Sequence, residues 1–290
     1  MPSIFYAILP IIFWGTSFLS TKILLQNGFS PMLISFIRFF LVSLLLLIID
    51  NKNTKLPSKG DLKYFLIMGI LGVTLFYYFE NSGLKYTTIA NTSLITATIP
   101  LFTLLYARIF LKKKLLWQNI LGIPLSIIGT FILFYKDIIV STPHIKGDFL
   151  IFVSVFLWIA YSFAYDKISK KYSQIFTLKI IFIIGTITIF PFVIKDFFEI
   201  NSNMINSKTA FSFLYLSMVC TLFSYFLWNT GIKRLGIKLT SNLILFIPVV
   251  SITTGILFWN ENFSFNLIVS AILILTGSYL TSKKYEGNEF

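Results

Sequence analysis

The feature that most constrains this chain is its unbroken succession of apolar runs, each about the length of a membrane span. A helix crossing a bilayer needs about 20 mostly apolar residues. Reading between charged or Pro/Gly/Asn-rich breaks gives ten such stretches, near 4–25, 32–50, 62–84, 87–110, 115–135, 148–166, 174–194, 210–231, 239–259 and 265–282. Of the 290 residues, 56% are hydrophobic and 12% charged, more apolar surface than one water-soluble core encloses. Backbone polar groups in lipid must be satisfied within the segment, so each run reads as a helix. The expected fold class is an all-α membrane protein with ten transmembrane helices. The first run lacks a basic leader and an evident small-residue cleavage site, so it reads as a retained span.

The formal net charge is +13, and position decides what that means. Seventeen Lys and Arg fall in alternate connections, among them Lys52, Lys59, Lys112, Lys113, Lys171 and Lys233. Six, including Lys22, Lys85 and Lys146, fall in the others, and Arg38 lies inside a span. The positive-inside rule then makes both termini cytoplasmic, as an even number of spans requires. The excess charge is topological, with no nucleic-acid partner implied. A lone cysteine, Cys220, leaves no internal disulfide, and with one histidine, His144, no metal site is expected. The convergent acids, bases and activated serines of an intramembrane enzyme are nearly lacking, and no phosphate-binding loop is present. No cofactor is implied.

The stretch YYFENSGLKY (77–86) resembles YFLWNTGIKR (225–234) at an offset of 148. The offset pairs Tyr77 with Tyr225, Asn81 with Asn229, Gly83 with Gly231, Pro100 with Pro248 and Gly129 with Gly277; Trp14 and Trp158 correspond at 144. The chain therefore reads as two five-span repeats, 1–140 and 145–290. An odd number of spans per repeat inverts the second copy in the membrane, which places Lys85 outside and Lys233 inside. Inverted repeats of this kind belong to carriers, whose site lies between the halves near the bilayer midplane.

The segments FWGTSF and SPMLISFIRFF, then TSLITATIPLFTLLYARIFL with LGIPLSIIGTFIL, and TSNLILFIPVVSITTGILFWNE with LILTGSYL, follow a familiar order. They resemble the EamA family of the drug/metabolite transporter superfamily over nearly the whole chain. The resemblance implies a ten-helix carrier of small organic metabolites in the cell membrane, often exporting amino acids, and a homodimer supported by spans five and ten. Two departures stand out. Lys113 occupies the place of the acid that Glu261 supplies in the second repeat, and Asp166 and Phe182 stand where the first repeat has Lys22 and Arg38.

Polar and aromatic residues recur at matching places in both repeats. Trp14 and Ser17 share one side of span one, as Trp158 and Tyr161 do in span six. Thr74, Tyr77 and Glu80 or Asn81 line up on span three, and Thr221, Tyr225 and Trp228 or Asn229 on span eight; Asn91 and Asn242 add amides on spans four and nine. An unpaired polar group in hydrocarbon is costly, so these positions suggest a hydrated cavity. Small polar residues equally glue helices together, and aromatics also gather at membrane interfaces.

Charges near the bilayer interior are usually functional. Arg38, Glu80 and Lys22 lie at comparable depths on spans two, three and one. Glu80 is expected to pair with Arg38 or Lys22, as an outer gate, a recognition point for a zwitterionic substrate, or a structural ion pair. Pro100 and Pro248 should free the carbonyls of Thr96 and Ile244 and kink spans four and nine, either as hinges or as static bends. Gly122, Ser126 and Thr130 form a small-residue stripe on span five, weakly matched by Gly277 and Ser278 on span ten.

The expected function is secondary-active transport of small organic metabolites by alternating access, most simply the export of amino acids or related compounds. Export of hydrophobic cations, metabolite exchange and a channel-like facilitator are the alternatives. The partners implied are a small-molecule substrate and the lipid bilayer.

Overall fold

A computed structural model describes residues 2–50, 56–112, 115–139, 144–261 and 264–281. All regular structure among them is helical. Ten helices account for most of it: α1 Pro2–Gln26, α2 Pro31–Ile49, α3 Leu62–Tyr86, α4 Ile89–Phe110, α5 Trp117–Ile139, α6 His144–Ile168, α7 Gln174–Val193, α8 Ser207–Ile237, α9 Leu239–Trp259 and α10 Phe265–Thr281. Eight are long and apolar enough to cross a membrane, and the apolar helices Trp117–Leu133 and Phe265–Thr281 are shorter. The protein is a multi-pass integral membrane protein.

The starts of several helices are written in the sequence. Ser30 caps α2 by accepting from the Leu33 N–H, with Pro31 in the first turn where its missing N–H is harmless. Ser173 caps α7 through the Phe176 N–H with the same backbone angles. Asn206 and Thr209 close a reciprocal box at the start of α8.

Most helices of the first half pack chiefly on helices of the second. Helix α1 lies against α8 and α9, while α6 lies against α3 and α4. Helix α2 packs on α7 and α8, and α7 on α2 and α3. Advancing each label by five converts one set of neighbours into the other. The most extensive pairing joins α5 to α10. There Gly122 and Gly277 bring backbone against backbone, and the Ser126 and Ser278 hydroxyls are 3.2 Å apart. A side chain at either glycine would collide with the facing main chain. The stripe of Gly122, Ser126 and Thr130 is therefore used within the chain.

Two departures from regular α-helix recur 148 residues apart. Ile67–Leu75 in α3 and Tyr215–Phe223 in α8 are π-helical. Hydroxyls in them reach carbonyls five residues back, Thr74 to Gly69 and Thr221 to Leu216. Such wide turns tend to mark functional positions. Spans four and nine are interrupted. Helix α4 stops at Thr96 and resumes at Ile99, and α9 passes through a 3₁₀ turn, Ile244–Phe246, before resuming at Ile247. Pro100 and Pro248 each stand second in the resumed helix, where no intrahelical donor is required. The expected kinks are thus a two-residue turn in α4 and a 3₁₀ turn in α9, and the Ile244 carbonyl is taken up by the Ile247 N–H rather than left free.

Candidate functional site

The turn between α3 and α4 is laced to three other parts of the chain. Lys22 on α1 donates to the carbonyls of Leu84, at 3.2 Å, and Thr87. Asp148 on α6 accepts from the Thr87 hydroxyl and, at 3.0 Å, from the Asn91 amide. Glu261, just past α9, accepts from the N–H groups of Ile89 and Ala90 at 2.7 and 3.0 Å. A carboxylate at these first-turn donors also complements the helix dipole of α4. Lys113, at the corresponding place in the first repeat, lies outside the described residues.

Deeper in, the helices line a partly open cavity with about 410 Å³ of space between atoms, open solvent included. One wall is Trp14, Ser17 and Phe18 of α1; another is Phe76, Tyr77 and Glu80 of α3, with Arg38 of α2 and Trp158 of α6. The broken segments supply the rest as two pairs 148 apart, Thr96 with Ile244 and Ile99 with Ile247. The breaks in α4 and α9 thus meet at one space.

Aromatic rings build the frame. Trp14 and Trp158 meet edge to face at 5.2 Å between centroids. Tyr225 packs against both rings and donates to the Tyr77 hydroxyl at 3.3 Å, joining two residues 148 apart. Behind them Trp228 lies 5.1 Å from Trp14, and Tyr161 stacks on Trp158. Such pairs add about 0.5–1.5 kcal/mol each beyond burial. Gly72 in the π-helical part of α3 admits the Tyr161 ring, since a Cβ there would stand 2.6 Å from the Tyr161 Cβ. The Trp14 indole donates to the Cys220 carbonyl at 2.9 Å. Three buried donors beside this frame have no acceptor: the indole N–H groups of Trp158 and Trp228 and the side-chain amide nitrogen of Asn229.

Of the residues expected at a cavity, Trp14, Ser17, Tyr77, Trp158, Arg38 and Glu80 line it. Tyr161, Tyr225 and Asn229 are fully buried behind them, and Asn229 accepts from the Tyr161 hydroxyl at 3.0 Å. Asn81, Asn91 and Asn242 are not among the lining residues. The Asn81 amide instead ties α3 to α2 through the Pro31 carbonyl and the Ser35 hydroxyl. Asn91 serves Asp148, and Asn242 is half-buried on α9. Thr74 faces α7, bonded to the Gly185 carbonyl and Thr188. The π-helical turns rotate it away from the face that carries Tyr77. Among the lining residues, Phe76 was not anticipated, nor were Ile99, Ile244 and Ile247 around the two prolines. The 148-residue offset around the two prolines is the signal that would have found the isoleucines.

The expected ion pair is not formed. Among the described residues neither Arg38 nor Lys22 makes a salt bridge to Glu80. Lys22 is engaged by backbone carbonyls. Arg38, 2% exposed, gives its Nε to Thr221 and one terminal nitrogen to the Cys220 carbonyl at 3.1 Å, and lies over the Tyr77 ring at 4.5 Å. Two ion pairs do occur nearer the helix ends. Lys179 meets Asp50 at 2.6 Å, and Lys171 meets Asp61 at 2.8 Å. The Lys171 hydrogen bond, aided by Ser58 and Tyr172, holds the Asp61 carboxyl below the usual aspartate range, while Asp61 raises Lys171.

The model of the EamA-like transporter family matches the chain twice, over residues 1–135 and 145–283. An uncharacterized transporter of Archaeoglobus fulgidus is 29% identical over 280 residues, covering 95% of this chain and 96% of its own. The Bacillus subtilis transporter YyaM, also uncharacterized, is 26% identical over 92% of this chain and 88% of its own. A probable amino-acid metabolite efflux pump of Escherichia coli is 24% identical over 94% of this chain and 92% of its own. A crystal structure at 17% identity superposes with a TM-score of 0.68 over 97% of this chain and 96% of that one, a likeness of fold. With both matched segments together spanning almost the full length, the chain belongs to the EamA-like transporter family of membrane proteins.

Proposed function

We propose that the protein is a secondary carrier that exports amino acids or related small metabolites across the cell membrane by alternating access. In this reading all ten helices span the bilayer as two inverted repeats, 1–140 and 145–290, with both termini cytoplasmic. The observation that carries it is the cavity. It is walled from both halves by pairs of residues 148 apart, at the level where α4 and α9 are both broken. Reciprocal packing of α1 with α8 and of α6 with α3 supports the same two-fold arrangement. The breaks ahead of Pro100 and Pro248 serve as bending points. Trp14, Ser17, Tyr77, Trp158, Arg38 and Glu80 contact the substrate, while Tyr161, Tyr225 and Asn229 hold the aromatic frame behind it. Because α5 and α10 spend their small residues on each other, a homodimer through these spans would use their outer apolar flanks.

The test is counterflow in proteoliposomes. Labelled amino acid should accumulate transiently against a load of unlabelled amino acid, at a rate that rises with the internal load. Uptake that is insensitive to the internal load would replace the carrier with a channel-like facilitator, which has no return step to accelerate.

A further inference from the structure

Arg38 and Glu80 carry opposite charges into one cavity without meeting. The Arg38 guanidinium is buried, and its named contacts, Thr221, the Cys220 carbonyl and the Tyr77 ring, supply no negative charge. It has five donors, of which Nε and one terminal group are engaged in these bonds. Glu80 is half-buried on α3, which packs beside α2, and among the described residues no ion pair or hydrogen bond engages it. Burying one charge unpaired is strongly unfavourable, and here both signs are left open towards the same space.

Resting on the carrier reading, we propose that Arg38 and Glu80 are the two poles of a site for one zwitterionic amino acid with an apolar side chain. The carboxylate sits on Arg38 and the ammonium on Glu80. A lone anion would leave Glu80 unanswered, and a lone cation would leave Arg38 so. A ligand bearing both charges answers both and adds no net charge to a low-dielectric site. Guanidinium geometry suits a carboxylate, which it can grip with two parallel bonds. Trp14, Phe76, Trp158, Ile99 and Ile247 leave apolar and aromatic surface for the side chain. The site therefore selects against dicarboxylates, diamines and hydrophobic cations.

The test compares ligands that lack one pole, using the full chain in nanodiscs and calorimetric titration. The probes are phenylalanine and leucine, phenylalaninamide, which lacks the carboxylate, and 3-phenylpropionate, which lacks the amine. The amino acids should bind, and each one-pole analogue should bind at least about tenfold more weakly, as expected when a site is left with a stranded charge. Arg38→Gln should weaken phenylalanine about tenfold and leave phenylalaninamide unchanged. Glu80→Gln should weaken phenylalanine and leave 3-phenylpropionate unchanged.

The wild-type comparison needs no variant to fold. No binding of either amino acid, equal binding of the amide and phenylalanine, or Arg38→Gln weakening both alike would each overturn the proposal. Trans-stimulated counterflow of the amide would reject the zwitterion site and leave the carrier standing. Binding of the amino acids without counterflow would do the reverse.

Discussion

Removing Glu261 tests whether the lacing of the α3–α4 turn holds the fold together. Its carboxylate is the acceptor for two backbone donors, the N–H groups of Ile89 and Ala90, at 2.7 and 3.0 Å. Both residues are buried, so alanine at 261 strands two amides that water reaches poorly. A hydrogen bond to a charged group contributes about 1.5–3 kcal/mol, and Glu261 is only half-buried, which favours the low end. Glu261→Ala should then cost about 3 kcal/mol, or roughly 6 °C in melting temperature at about 2 °C per kcal/mol for a chain of this size. Glu261→Gln keeps one acceptor oxygen and should lose about half as much. The natural reporter is Cys220, the single cysteine, which is fully buried and reacts with a thiol-selective fluorophore as the helices come apart. A Glu261→Ala melting temperature within about 1 °C of wild type would refute the reasoning, as would a Gln variant as unstable as the Ala variant.

Three further outcomes follow from the packing. Gly72→Ala places a Cβ 2.6 Å from that of Tyr161; it should cost about 1–3 kcal/mol and alter the emission of Trp158, with unchanged emission and melting counting against the close fit. Replacing both Pro100 and Pro248 by alanine restores a backbone donor at each break; counterflow should slow several-fold while amino-acid binding persists, and full-speed counterflow would make the prolines static bends. Because the hydrogen bond from Lys171 holds the pKa of Asp61 below its usual value, the tie contributes above the usual aspartate value and is lost as pH falls through the lower folded one. The melting difference between wild type and Asp61→Asn should shrink below about pH 4; a difference unchanged down to pH 3 would remove that pair from the account.

The apolar helices were legible because the bilayer imposes a length and a polarity that no local detail overrides. Some ends carry a local signal that the expected bounds near 32 and 210 did not use, Ser30 before Pro31 and Asn206 before Thr209. The rotation of each helix about its axis was not legible. Asn81 and Tyr77 are four residues apart, yet one ties α3 to α2 and the other lines the cavity. Thr74 is displaced for a further reason: it sits in the nine-residue π-helical stretch, whose wider turns shift the phase of everything upstream of Phe76. Composition does not announce it, since Ile67–Leu75 is an unexceptional apolar run with two glycines. The unformed pair of Glu80 and Arg38 has a similar origin. Depth along the spans could be counted, but which way Arg38 turns depends on Thr221 and Cys220, about 180 residues further on.

The clasp of α5 and α10 fixes what sort of movement the molecule can make. The two helices close the first and the second half of the sequence and touch main chain to main chain at Gly122 and Gly277. Sliding one half past the other would drag side chains of Ser126 and Leu280 across a seam that has no room for them. Turning about the seam would leave it intact, so in the proposed carrier cycle that edge would act as the spine of a book whose covers swing while the binding stays shut.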